Sequence, residues 1–175
     1  MNVKNKKIQI PSFDDTTVVG INSGLVDYKL AWNLNTVLSL DLVRYDDLVF
    51  EGAPYSFFYY TVGENYNVYN LVSLVCKDRV LYPFKPRLDY LLLIQGFLSA
   101  ERQISIMRNL RKIDGIGHAF VLEKDKNLRQ VLETIADGEQ RIIDKKKKLS
   151  NINEIRKQAR EKEAQRIALW TAEKQ

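Results

Sequence analysis

The spacing of apolar positions changes several times along the chain, and each change marks an element. Residues 16–21 (TTVVGI) form a β-branched run that predicts a strand, and Asn22-Ser23-Gly24 after it has turn composition. From residue 25 to 40, Val26, Leu30, Leu34, Val37 and Leu38 recur at steps of three and four, with Lys29, Asn33 and Asn35 on the other face. That periodicity predicts a helix with one buried stripe, capped by Ser23, with Asp27 placed to suit the positive end of its dipole. Residues 56–62 and 68–75 are rich in Tyr, Phe and Val and flank the turn-like stretch 63–67, so they read as an antiparallel hairpin, preceded by a shorter strand within 41–51. Pro83 and Pro86 exclude a central strand through that segment.

Residues 88–96 (LDYLLLIQG) are the most apolar run in the chain; its short length and terminal glycine predict a central strand covered on both faces. Ser99 is the expected cap of a second helix reaching about Lys112, with Ile104, Met107 and Leu110 on its buried side and Gly115 and Gly117 at its end. A last short strand follows at 118–123, and a further helix begins near Leu128, with pauses expected at Gly138 and at Ser150. Reduced by one hairpin strand, the order is βαββαβ. The expected fold class is therefore α+β: a ferredoxin-like antiparallel sheet with an extra hairpin strand and two helices on one face, plus a C-terminal basic helical extension. The expected organisation is a flexible N-terminus at 1–12, the α+β domain at 13–127 and a charged helical extension at 128–175.

Charge sharpens this division. Of the 27 Lys and Arg and 22 Asp and Glu, 11 basic and 5 acidic residues lie at 141–175, a balance of +6, which leaves 16 basic against 17 acidic, or −1, for the rest. Of the 18 aromatic residues, only Trp170 lies after residue 140. One Cys and one His exclude an internal disulfide, a thiolate cluster and a multi-histidine metal site, so no cofactor is expected. No apolar stretch approaches the ~18 residues of a membrane-spanning helix, and the basic N-terminus lacks the apolar region of an export signal. The expectation is a cytoplasmic protein with Cys76 reduced and packed in a strand, and no membrane insertion.

The stretch Leu81-Tyr82-Pro83-Phe84-Lys85-Pro86-Arg87-Leu88-Asp89-Tyr90 resembles the signature of the IPExxxVDY family, small uncharacterised proteins of the Bacteroidota, and the first helix (LVDYKLAWNLN, from Leu25) is similar to the family's N-terminal half. Pro83, Asp89 and Tyr90 stand where the motif has them, while Tyr82, Phe84 and Leu88 replace its Ile, Glu and Val. The resemblance implies a cytoplasmic bacterial protein, brings no catalytic residue with it, and covers most of 13–123 without reaching the basic tail.

Asp89-Tyr90 reads as a structural motif, a carboxylate that locks a turn by accepting neighbouring amides. His118, the only His, could stand as a general base, but with no nucleophile motif or second titratable group close in sequence it reads as an ordinary polar residue. Gly20-x-x-x-Gly24 and Gly115-x-Gly117 lack the pattern of phosphate loops and read as turns. Tyr59, Tyr60, Tyr66 and Tyr69 invite comparison with RNA-stacking sheets, yet no basic RNP run accompanies them. Most functional content lies in the tail. Lys145, Lys146, Lys147, Lys148, Arg156, Lys157, Arg160, Lys162 and Arg166 form a cationic surface able to displace counterions from a nucleic-acid backbone. Ile152, Ile155, Ala159, Ile167 and Trp170 offer an apolar seam for a partner protein or a second copy of the chain.

The function read from the sequence is a non-enzymatic binding protein whose basic helix engages RNA or a ribonucleoprotein. The alternative is an ACT-like dimeric regulatory module that binds a small metabolite or a partner protein, an argument from fold analogy.

Overall fold

The computed structural model describes residues 13–61 and 67–172, with the side chains of Lys146, Ala159 and 163–172 outside that description. The elements in chain order are β1 (Thr16–Ser23), α1 (Asp27–Leu38), β2 (Val43–Arg44), β3 (Leu48–Phe50), β4 (Ala53–Tyr55), β5 (Phe57–Thr61), β6 (Val68–Ser73), β7 (Val75–Cys76), β8 (Arg79–Val80), β9 (Tyr90–Gln95), α2 (Ala100–Leu110), β10 (Ile116–Val121) and α3 (Lys126–Ala172). The chain is mixed α and β and divides into two compact units between Gly138 and Glu139. Among the described residues no helix is long and apolar enough to cross a membrane.

In the first unit six strands form one antiparallel sheet in the order β10-β1-β9-β6-β5-β2, accompanied by the small hairpins β3-β4 and β7-β8. The apolar run read as central is β9, which pairs with β1 on one side and β6 on the other, with Val19 and Leu71 both opposite Leu92. Leu91, Leu92, Leu93 and Ile94 are all buried, so the strand shows no alternation. Consecutive side chains point to opposite faces, and such a strand therefore requires cover on both.

The first cover is helical. Leu30, Leu34 and Leu38 of α1 and Ile106 and Leu110 of α2 join Val19, Ile21, Leu71, Leu92 and Ile94 in one core cluster. Burying side chains of this size stabilises the fold by about 1.5–3 kcal/mol each. The stripe of α1 has the expected register, with Leu30, Leu34 and Leu38 buried and Val37 packed against the cluster; Ala31 joins it, while Val26 precedes the first turn as the N-cap and is exposed. On α2, Ile106 is buried and Ile104 is exposed, because the hydrophobic arc that meets the sheet is centred on Ile106 and Leu110. Ser99 does cap α2, its Oγ accepting from the Arg102 amide at 3.2 Å.

Val18, Phe57, Val72, Leu91 and Leu93 point to the second face and are buried outside that cluster. Leu128, Val131, Leu132 and Ile135 at the start of α3 are also buried, at the three- and four-residue steps of one helical stripe. These turns, which the sequence pattern placed in the extension, lie in the first unit and complete its second apolar layer. Asp125 starts the helix, its Oδ1 accepting from the Leu128 amide at 2.7 Å. The expected pauses at Gly138 and Ser150 are absent, and the helix runs unbroken through both. Gly138 serves a different need: a Cβ there would stand 2.5 Å from Leu48 Cδ2, so the missing side chain lets the helix approach β3.

The outer strands differ in length. β2 has two residues, whereas β10 has six and pairs with β1 through a register shift at Asn22/Ser23. Leu34 is 0 % exposed in the cluster beneath α1. Replacing Leu34 by Ala is expected to lower stability by about 2–5 kcal/mol, measurable as an earlier midpoint in urea unfolding followed by circular dichroism.

Candidate functional site

The second unit consists of α3 from Glu139 onward. An α-helix advances about 100° per residue, so Arg141, Lys145, Lys148, Arg156 and Arg160 fall within a sector about 120° wide and about 28 Å long. Their side chains are exposed. Glu154 and Glu161 lie on the opposite side of the helix. The run of four lysines does not act as one patch: Lys147 points away from the sector, and Lys157 and Lys162 flank it. The same sector carries Leu149 and Ile152, with Ile155 at its edge, exposed at 51%, 44% and 65%. Cations and apolar side chains thus interleave on one face, where the sequence had suggested two separate surfaces. The side chains of Lys146, Arg166 and Trp170 fall outside the described residues, as does Tyr66.

Asp89 and Tyr90 stand at a corner where β1, α1, β9 and β10 begin or end. Asp89 Oδ2 accepts from Asn22 Nδ2 at 2.8 Å and from the Ser23 amide at 3.0 Å, while Oδ1 accepts from Arg87 Nε at 3.2 Å. The Asp89 amide donates to the Ile21 carbonyl at 2.9 Å. Tyr90 donates its hydroxyl to the Leu25 carbonyl at 2.8 Å, which ties the approach to α1 onto the sheet. Burial first, then the nearby charges of Asp27 and Asp89, push the Tyr90 phenol up to about 12. Ser23, expected to cap α1, is used elsewhere: its Oγ donates to the Gly115 carbonyl at 2.8 Å and accepts from the Leu25 amide at 3.1 Å. The N-cap position falls to Val26, with no side-chain cap. Gly115 adopts a φ of 95°, and a Cβ there would meet Leu25, so its contribution is a tight crossing between α2 and β10.

A cluster that the sequence did not reveal centres on Arg44. Its Nη1 meets Asp27 Oδ2 at 2.6 Å and its Nη2 meets Asp47 Oδ1 at 2.7 Å, beside a cavity of about 270 Å³ that Ser56, Ser73, Cys76 and Tyr90 help to line. Burial pulls the Arg44 pKa down, but the hydrogen bonds and charges of Asp47 and Asp27 outweigh it and the net shift is upward. A guanidinium held charged in this way positions α1, β2 and the following loop. Asp27 had signalled only a helix start, and its pairing across 17 residues has no local signature.

The remaining candidates are dispersed. His118 is exposed on β10, its ring stacked on Phe120 at 5.9 Å between centroids. Gly20 is not a turn residue but lies within β1, where a Cβ would meet Leu88. Tyr69 is buried in the core cluster and Tyr60 packs against it with ring centroids 6.2 Å apart, so these rings fill the interior. Among the described residues no group of three or more His, Cys, Asp and Glu is placed to hold a metal ion.

Comparison of the chain with protein-family models and with curated proteins finds no match.

Tyr90 titrates above an unfolded tyrosine, for which the pKa is about 10, so the unfolded state releases its proton first as pH rises. The stability that this group contributes is fully present below about pH 10 and is lost as pH rises toward about 12. Tyr90→Phe is expected to remove that part of the alkaline decline and to cost about 1 kcal/mol at neutral pH through the lost hydrogen bond; urea unfolding of both proteins from pH 7 to 11 checks both signs.

Proposed function

We propose that the protein is a non-enzymatic binding protein that engages single-stranded RNA, free or within a ribonucleoprotein, through one face of α3. The observation that carries this reading is the sector holding Arg141, Lys145, Lys148, Arg156 and Arg160, all exposed, with Glu154 and Glu161 on the opposite side. Cations so arranged follow a phosphate backbone and gain affinity by releasing its counterions. Leu149 and Ile152 between them favour a strand whose bases are unstacked and reachable over a closed duplex, because apolar side chains gain from contact with base faces and nothing from phosphates.

The ferredoxin-like reading of the first unit belongs with this proposal. Its support is the order β10-β1-β9-β6, with α1 and α2 sharing one core cluster, which corresponds to a split βαβ arrangement extended by β5 and β2. The resemblance to the IPExxxVDY proteins is likewise retained as an inference. It is supported by the structural tasks of Asp89 and Tyr90, two residues of that motif.

Five phosphate contacts on a single strand give a slope of about −3.5 in a plot of log affinity against log salt. The expected outcome is steep loss of affinity for a fluorescent single-stranded RNA as KCl rises, with the fourfold variant Lys145→Gln, Lys148→Gln, Arg156→Gln, Arg160→Gln showing a slope near −1 and much weaker binding. Fluorescence anisotropy measures both. Equal binding by the variant, or stronger binding to duplex DNA of the same length, overturns the proposal.

A further inference from the structure

A second cavity, of about 430 Å³, opens beside β7 and β8 and the loop that follows them. Leu88, 2 % exposed, forms an apolar wall, and Val80, Tyr82 and Phe84 add to the lining. Tyr82 and Phe84 are half-buried and meet edge to face with ring centroids 4.7 Å apart, which gives the pocket a stiff aromatic side. The volume lies at the small end of the range for ligand sites, about 300–1,000 Å³, so it suits a compact molecule.

Three charged residues share this apolar surface: Lys77, Asp78 and Arg87. Arg87 holds Asp89 through Nε at 3.2 Å, and its Nη pair forms a second donor edge of the guanidinium fork. Lys77 is unusual in its backbone. It joins β7 to β8 at a φ of 52°, in the left-handed region that Gly and Asn occupy more readily. A two-residue hairpin turn takes a positive φ at this position, and the residue that takes it here is a lysine that also lines the cavity.

We propose that this cavity binds a zwitterionic α-amino acid with an apolar side chain. Lys77 and Arg87 receive the carboxylate, Asp78 receives the ammonium, and the side chain packs between Leu88 and the Tyr82–Phe84 pair. Two cations and one anion around an apolar pocket match a molecule that carries both charges on one carbon and an apolar body beyond it. An apolar carboxylate alone leaves Asp78 unmatched, and an apolar amine alone leaves both cations unmatched. The assignment is independent of the α3 surface.

Isothermal titration of the full-length protein tests the assignment with phenylalanine, leucine, phenylpropionate and phenethylamine as probes. Binding of phenylalanine or leucine is expected, with each one-charge analogue weaker by about tenfold. Lys77→Asn keeps a residue suited to the left-handed turn and removes the ammonium, so it should leave the melting temperature unchanged or higher while weakening amino-acid binding by about tenfold. Absence of heat and of any melting shift at millimolar amino acid overturns the proposal. So does phenylpropionate or phenethylamine binding as tightly as phenylalanine, or Lys77→Asn binding like the parent protein.

Discussion

The structure depends on the burial of β9 from both sides. Leu91, Leu92, Leu93 and Ile94 leave no polar face on which the sheet could meet water, so each surface needs a separate apolar cover. One is the pair α1 and α2; the other includes the first turns of α3. This requirement explains why a long helix begins within the folded unit, and why Gly138 and Gly20 lack side chains where Leu48 and Leu88 pass close by. Interiors are packed as tightly as organic crystals, and two layers back to back leave little tolerance at such crossings.

Polar residues fix the ends of these layers. The Asp89 carboxylate accepts from Asn22, Ser23 and Arg87, and Tyr90 reaches the approach to α1, so one dipeptide at the start of β9 fixes β1 and the entry to α1. Arg44, shared by Asp27 and Asp47, ties the same end of α1 to β2 and the loop after it. Both arrangements leave charged groups at the margin of the core with hydrogen-bonding partners, the condition under which burial of charge is tolerated.

The sequence made much of this legible because strong local signals coincided with burial. The apolar run at 88–96 announced a strand without a wet face, and Ser99 capped α2 through a partner only three residues on, the Arg102 amide. Misplaced readings arose where a distant residue redirected a local signal. Ser23 looked like a cap but is bonded to Gly115, 92 residues away, and Gly138 looked like a stop but accommodates Leu48. On α1 the apolar periodicity and its phase were both correct, whereas on α2 Met107 and Leu110 face the core but Ile106 takes the place expected for Ile104, since the arc that meets the sheet decides between them. In the candidate surface, composition identified the basic tail, but only helical geometry separated Lys147 from Lys145 and Lys148 and merged the cationic and apolar stripes. The Arg44 pairing with Asp27 joins residues 17 apart and has no local signature, whereas the cavity near Lys77 is lined within residues 75–88 and only the folding of that stretch back on itself turns it into a pocket.

The outermost strands have a further consequence. Among the described residues no strand pairs with the outer edge of β10, and such an edge is a template on which another chain could grow, while two-residue β2 is too short to serve. The shifted pairing at Asn22/Ser23 breaks the regular ladder close to the start of β10 and increases its local twist. An incoming strand would have to copy that irregularity to stay in step.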